Sequence, residues 1–214
     1  MTGYDTLRWA GIIMLAAGVI FWTGAFTPPY KQWTTNDPKI YLSIIDSHRI
    51  NWYIIHALFL IAIILSIFGI QLFSVSLQSI GANVIFSNIG HIAFFLGAML
   101  WILNLAFRVT VTVWEANEMT NTGQIHGWFT TLKDWSNFLF ALFMVLSYFA
   151  TGCLGIALFQ LHILPVWLSW FGIIFGFAGA VLYLFRVPLF EPPLMVYLPL
   201  ILNGLMILIK IKGS

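Results

Sequence analysis

Four polar residues recur through one apolar stretch of the chain: Asn104, Arg108, Thr112 and Glu115, at spacings of four, four and three. At 3.6 residues per turn they fall on one helical stripe. Arg108 stands near the end of the apolar run, and an arginine set into a bilayer costs about 2.5–3.5 kcal/mol on insertion scales. A residue that costly is paired or lines a wet cavity, so the stripe predicts a pocket for an anion or a lipid headgroup. Glu115 lies too far beyond Arg108 for a direct helical pair, whereas Asn104 and Thr112 are within reach. Asp134, Glu191 and Asp46 are the acids that other segments could bring to it. The competing reading is an arginine that snorkels to the interface.

The histidines form a second constellation. His48, Trp52 and His56 stand at i, i+4 and i+8 and share a helical face, and His126 precedes a later apolar run. Two inward histidines at similar depth can ligate a b-type haem, or, with carboxylates, a metal. His56 and His126 are the candidate ligands. No His-Glu-x-x-His or Cys-x-x-Cys-His accompanies them, and interfacial histidines are the alternative. No glycine-rich phosphate loop, mid-span lysine for a retinal Schiff base, row of acids for a proton pump or inverted repeat is evident. No catalytic residues are assigned, and the expected role is non-enzymatic.

Apolar helices must position these groups. Of 214 residues, 61% are hydrophobic and 7% charged, against roughly 25% charged in a soluble domain. Such a chain cannot cover a water-facing surface, so lipid must be its solvent. A helix needs about 20 apolar residues to span the hydrocarbon core. Six segments qualify: 7–26, 51–73, 89–111, 135–161, 166–185 and 195–209, the last being the shortest. The expectation is one all-α integral membrane bundle of about six transmembrane helices. A net charge of +2 gives no footprint for nucleic acid, and a single cysteine, Cys153, excludes an intramolecular disulfide. The ten tryptophans suit interfacial belts.

An even number of spans puts both termini on one side and the first, third and fifth loops on the other. Those loops carry Lys31, Lys39, Arg49, Arg108, Lys133 and Arg186, against Asp37, Asp46, Glu115, Glu118, Asp134 and Glu191. Counting cations alone would place these loops in the cytoplasm. Their pairing with acids, and the unopposed Lys210 and Lys212, point the other way, and the termini are expected inside. Nearly all ionisable chemistry lies on the odd-loop face, so a polar site should open there.

Other features read as packing. Gly172, Gly176 and Gly179 flatten one helix face, inside the bundle or at a dimer contact, and Gly152 and Gly155 do the same around Cys153. Asn203 is expected to hydrogen-bond between helices. Residues 127–137, GWFTTLKDWSN, read as a short amphipathic helix in the interface before the fourth span.

The stretch GCLGIALFQLHILPVWLSWFGIIFGFAGAVLYL and the ending PLILNGLMILIKIKG have an arrangement of their own. A long apolar helix meets a turn with Pro165, then Trp167-Leu168-Ser169 and a glycine-rich helix. Together they resemble the prokaryotic polytopic membrane family catalogued as domain of unknown function 4386. The resemblance covers about the last third of the chain well and the rest in helix order. It departs from the family in its turn, where Gln160-Leu161-His162 replaces a basic element. It implies six or so helices and a prokaryotic cell membrane, and supplies no activity or site residue.

Three readings follow. The first is a protein that binds a lipid, or a small hydrophobic or anionic solute, through Asn104, Arg108, Thr112, Glu115 and Asp134, with His56 and His126 nearby. The second is a b-type haem or metal protein, or an accessory subunit of an electron-transfer complex. The third is a structural subunit of a homo-oligomer or membrane complex.

Overall fold

The computed structural model describes residues 3–29, 35, 37–80, 84–161 and 164–212, and no strand occurs among them. The helices are α1 (Gly3–Ala25), α2 (Pro38–Ser47), α3 (Arg49–Ser79), α4 (Ile85–Val109), α5 (Val111–Thr122), α6 (Gly127–Leu161), α7 (Val166–Leu184) and α8 (Leu194–Lys212). A 3-10 turn, Pro188–Phe190, lies between α7 and α8. Five helical stretches are long and apolar enough to cross a bilayer: α1, α3, α4 running on into α5, α6 and α7. The sixth expected span is a shorter apolar helix, Leu194–Lys210. The chain is an all-α, multi-pass membrane bundle.

Packing follows the order α8, α1, α3, α4, α6, α7. Lipid gives helices no hydrophobic reason to associate, so close van der Waals contact and interhelical hydrogen bonds must hold them. Glycines supply the close contact. Gly204 of α8 meets the backbone of Gly11 and Leu15 in α1, while Gly18 meets Ile201, so the two helices run antiparallel. On the other flank Gly172 packs on Gly155, and Gly176 on Gly152. The glycine face of α7 is therefore turned inward, onto α6.

A line of aromatic rings crosses the bundle in the same helix order. Tyr197 of α8 stacks on Phe21 of α1 at 4.0 Å between centroids, and Phe21 lies 4.9 Å from Phe59 of α3. Phe59 is 5.7 Å from Trp101 of α4, which stacks 4.3 Å from Phe143 of α6. Such pairs contribute about 0.5–1.5 kcal/mol each beyond their buried area.

The first and third loops, read from sequence as polar connections, contain helices. The Asp37 carboxylate accepts hydrogen bonds from the backbone N–H of Lys39 (2.8 Å) and Ile40 (3.3 Å), and Pro38 pre-sets the first turn of α2. Tyr41, Leu42 and Ile45 then join Val113, Ala116 and Met119 of α5, with Trp52, Phe107 and Phe129, in a second small core. It caps the bundle on the odd-loop face. α5 ends at Gly123, whose φ of 72° is the left-handed conformation glycine adopts without strain.

Residues 127–137 are not a separate interfacial helix. They are the opening turns of α6, because no proline or glycine interrupts 128–151. At 35 residues α6 is about 52 Å long, against a hydrocarbon core of about 30 Å, so its opening turns reach beyond the core toward the cap.

A Cβ on Gly176 would run into the Gly152 backbone nitrogen, whereas one on Gly127 would meet nothing within 4 Å. Gly176→Ala should therefore destabilise the bundle by about 1–3 kcal/mol, the usual cost of overpacking. Gly127→Ala should leave the thermal unfolding midpoint in detergent unchanged. Equal midpoints for the two variants would contradict this packing.

Candidate functional site

The carboxamide of Asn104, fully buried, joins two helices and an arginine. Its Nδ2 donates to the Ser136 carbonyl (2.8 Å) and to Ser136 Oγ (2.7 Å), tying α4 to α6. Its Oδ1 accepts from Arg108 Nε at 3.0 Å. One amide thus fixes both the helix pair and the guanidinium one turn above it.

Arg108 borders a cavity of about 810 Å³ enclosed by α3, α4, α6 and the α7–α8 connection. Its inner wall is aromatic and apolar: Phe59, Trp101, Leu105 and Phe140. His56 and Asn137 stand on the same wall, with Arg108, nearer the odd-loop face. Arg186 and Glu191 form the rim and are exposed. Neither side chain makes a hydrogen bond or ion pair among the described residues. Arg108 also borders a smaller cleft of about 180 Å³ on its far side, with Tyr41 and Lys133. Burial pushes the Tyr41 phenol up, against the opposing pull of Arg108, so it stays protonated at neutral pH.

The rim is built from an unusual helix end. α7 closes with Arg186 N–H on the Tyr183 carbonyl (2.9 Å) and Val187 N–H on the Leu182 carbonyl (3.0 Å). That closure places Arg186 at φ 54°, where glycine is the usual occupant. A non-glycine residue there costs of order 1 kcal/mol. The Tyr148 hydroxyl donates to the Phe190 carbonyl at 2.9 Å and anchors the connection to α6.

Comparison with protein-family models, with curated proteins and with solved structures finds no match.

The predicted site residues fall into two groups. Asn104 and Arg108 are joined, and Arg108 lines the cavity. Thr112 and Glu115 are buried on the same stripe but face the cap. The Glu115 carboxylate accepts the His126 backbone N–H at 2.7 Å and pairs with His126 Nδ1 at 3.1 Å, closing the loop between α5 and α6. A buried carboxylate needs such partners, so its role here is to hold that loop. Asp134 is exposed and borders neither cavity nor cleft. Asp46 pairs with Arg49.

The two histidines are not brought together around the cavity. His56 lines it; His126 does not, and lies among Trp114 and Trp128. Among the described residues no group of three or more His, Cys, Asp or Glu could hold a metal ion. Sequence reasoning did not assign Arg186, Asn137 or Tyr183 to the site. The signal for Arg186 was its place just past an apolar span and before Val187-Pro188, where a helix must end.

The cap is tied to the bundle by Asp46, which accepts from Arg49, while Arg49 also donates to Asn117 (2.6 Å) and Thr120 donates to Asp46 (2.9 Å). The hydrogen bond from Arg49 holds the Asp46 carboxyl below its usual pKa. A lowered folded-state pKa contributes stability above about pH 4 that is lost as pH falls through the folded value. Asp46→Asn should therefore be less stable than the wild type at pH 7, and the gap should close toward pH 3. A gap in unfolding midpoint that does not change with pH would contradict this pairing.

Proposed function

We propose that this protein binds an amphipathic small molecule, with its apolar body against Phe59, Trp101 and Phe140 and its anionic group at Arg108 and Arg186. The observation that carries this reading is the cavity itself: aromatic below, cationic at the rim, and set toward the face of the bundle that holds most of the ionisable groups. Its volume of about 810 Å³ lies within the roughly 300–1,000 Å³ of small-molecule sites. Two arginines against one glutamate leave the rim net positive, which favours a phosphate or carboxylate. Arg186 supports the reading a second time, because an arginine occupies a left-handed position where glycine would relieve the backbone. The resemblance to family 4386, carried by the last third of the chain, stands beside this proposal and adds no residue to it.

Arg186→Gly separates backbone from charge. It removes a cation from the rim and suits the left-handed position, so the unfolding midpoint should hold or rise. Affinity for an anionic probe, 1-oleoyl lysophosphatidic acid, should fall about tenfold, as expected for one charge-assisted hydrogen bond. Native mass spectrometry of the detergent-solubilised chain with added probe reads this. An unchanged affinity would overturn the assignment of the anionic group to this rim.

A further inference from the structure

His56 is 2% exposed and borders the cavity, yet only one of its ring nitrogens has a partner. Nδ1 lies 2.7 Å from the Trp52 carbonyl oxygen. A carbonyl only accepts, so Nδ1 carries the proton and Nε2 of the neutral ring is an acceptor. Nε2 is buried without a hydrogen-bond partner among the described residues. An unmet buried acceptor is uncommon in a folded protein. Two aromatic rings flank it: Trp52 lies tilted against the imidazole at 4.1 Å and Phe59 meets it edge-on at 6.0 Å.

The depth of His56 follows from the helix contacts. Trp52 Nε1 donates to the Arg108 carbonyl at 3.0 Å, which puts residue 52 of α3 level with residue 108 of α4. α3 runs inward from the cap, so His56 is one turn, about 5.4 Å, further in. The aromatic wall of Phe59 and Trp101 begins a turn below that.

Resting on the amphiphile reading above, we propose that His56 Nε2 accepts a hydrogen bond from a hydroxyl of the ligand. The ligand is then a single-chain amphiphile with a free hydroxyl within about one helical turn of its phosphate or carboxylate. A monoacyl glycerol phosphate has this pattern: an anionic group for the rim, a secondary hydroxyl at the level of His56, and one acyl chain for the aromatic end. A hydroxyl fits better than an ammonium, because the nearby Arg108 repels a second cation. One chain suits the cavity volume, which lies in the range of compact ligands.

The test compares two probes on the full chain in detergent by native mass spectrometry: 1-oleoyl lysophosphatidic acid and its analogue with hydrogen in place of the hydroxyl. The wild type should bind the analogue about tenfold more weakly, the usual cost of one unmet buried partner. His56→Phe should bind both probes alike. Equal binding of the two probes by the wild type overturns the inference while leaving the amphiphile reading intact. Discrimination that survives in His56→Phe also overturns it. Binding of neither probe by the wild type brings down the amphiphile reading and the inference with it.

Discussion

The site depends on one amide. Asn104 is fully buried in a bundle whose helices gain nothing from hiding apolar surface from one another, and it makes three hydrogen bonds there. Two go to Ser136 on α6 and one comes from Arg108 on its own helix. A hydrogen bond between membrane helices contributes modestly, on average about 0.6 kcal/mol. Its value here is positional. The bond that pairs α4 with α6 also sets the guanidinium at the edge of the cavity, so the helix packing and the charge at the site cannot move independently.

Around that joint the bundle divides its work by depth. Toward the terminal side, glycines let α1 meet α8 and α6 meet α7 at backbone distance. Across the middle, the ring sequence Tyr197, Phe21, Phe59, Trp101 and Phe143 links five helices and also furnishes the aromatic end of the cavity. Toward the odd-loop side, α2 and α5 form a small core of their own, where the acids find partners: Asp46 on Arg49, Glu115 on His126. The cap thus pairs two of the acids on that face, and Arg108, Arg186 and Glu191 border the cavity.

Fold class was legible because it rests on composition and segment length, which lipid imposes directly. The Asn104–Arg108 pair was legible because i, i+4 spacing is a local property of a helix. Glu115 was placed on the correct stripe but its partner was not, since His126 reaches it only after the chain reverses at Gly123. The loop helices escaped a reading based on apolar length, although Asp37-Pro38 is a readable start signal. Arg186 could not be joined to Arg108 from spacing, because the two come to line one cavity only through the packing of α7 against α6 and the anchoring of the connection by Tyr148. Asn203, expected to bridge helices, is buried, and its Oδ1 has no hydrogen-bond partner among the described residues.

The proposed amphiphile enters a cavity that opens on the capped face. Leu105 lines it, and the one native thiol, Cys153, is buried on α6. Leu105→Cys in a Cys153→Ala background, treated in oriented vesicles with a membrane-impermeant maleimide, tests the claim most directly. Labelling is expected only from the side that carries α2 and α5, and it should be slowed by 1-oleoyl lysophosphatidic acid. A thiol that is inert from that side, or labelled at the same rate with the amphiphile present, would contradict it.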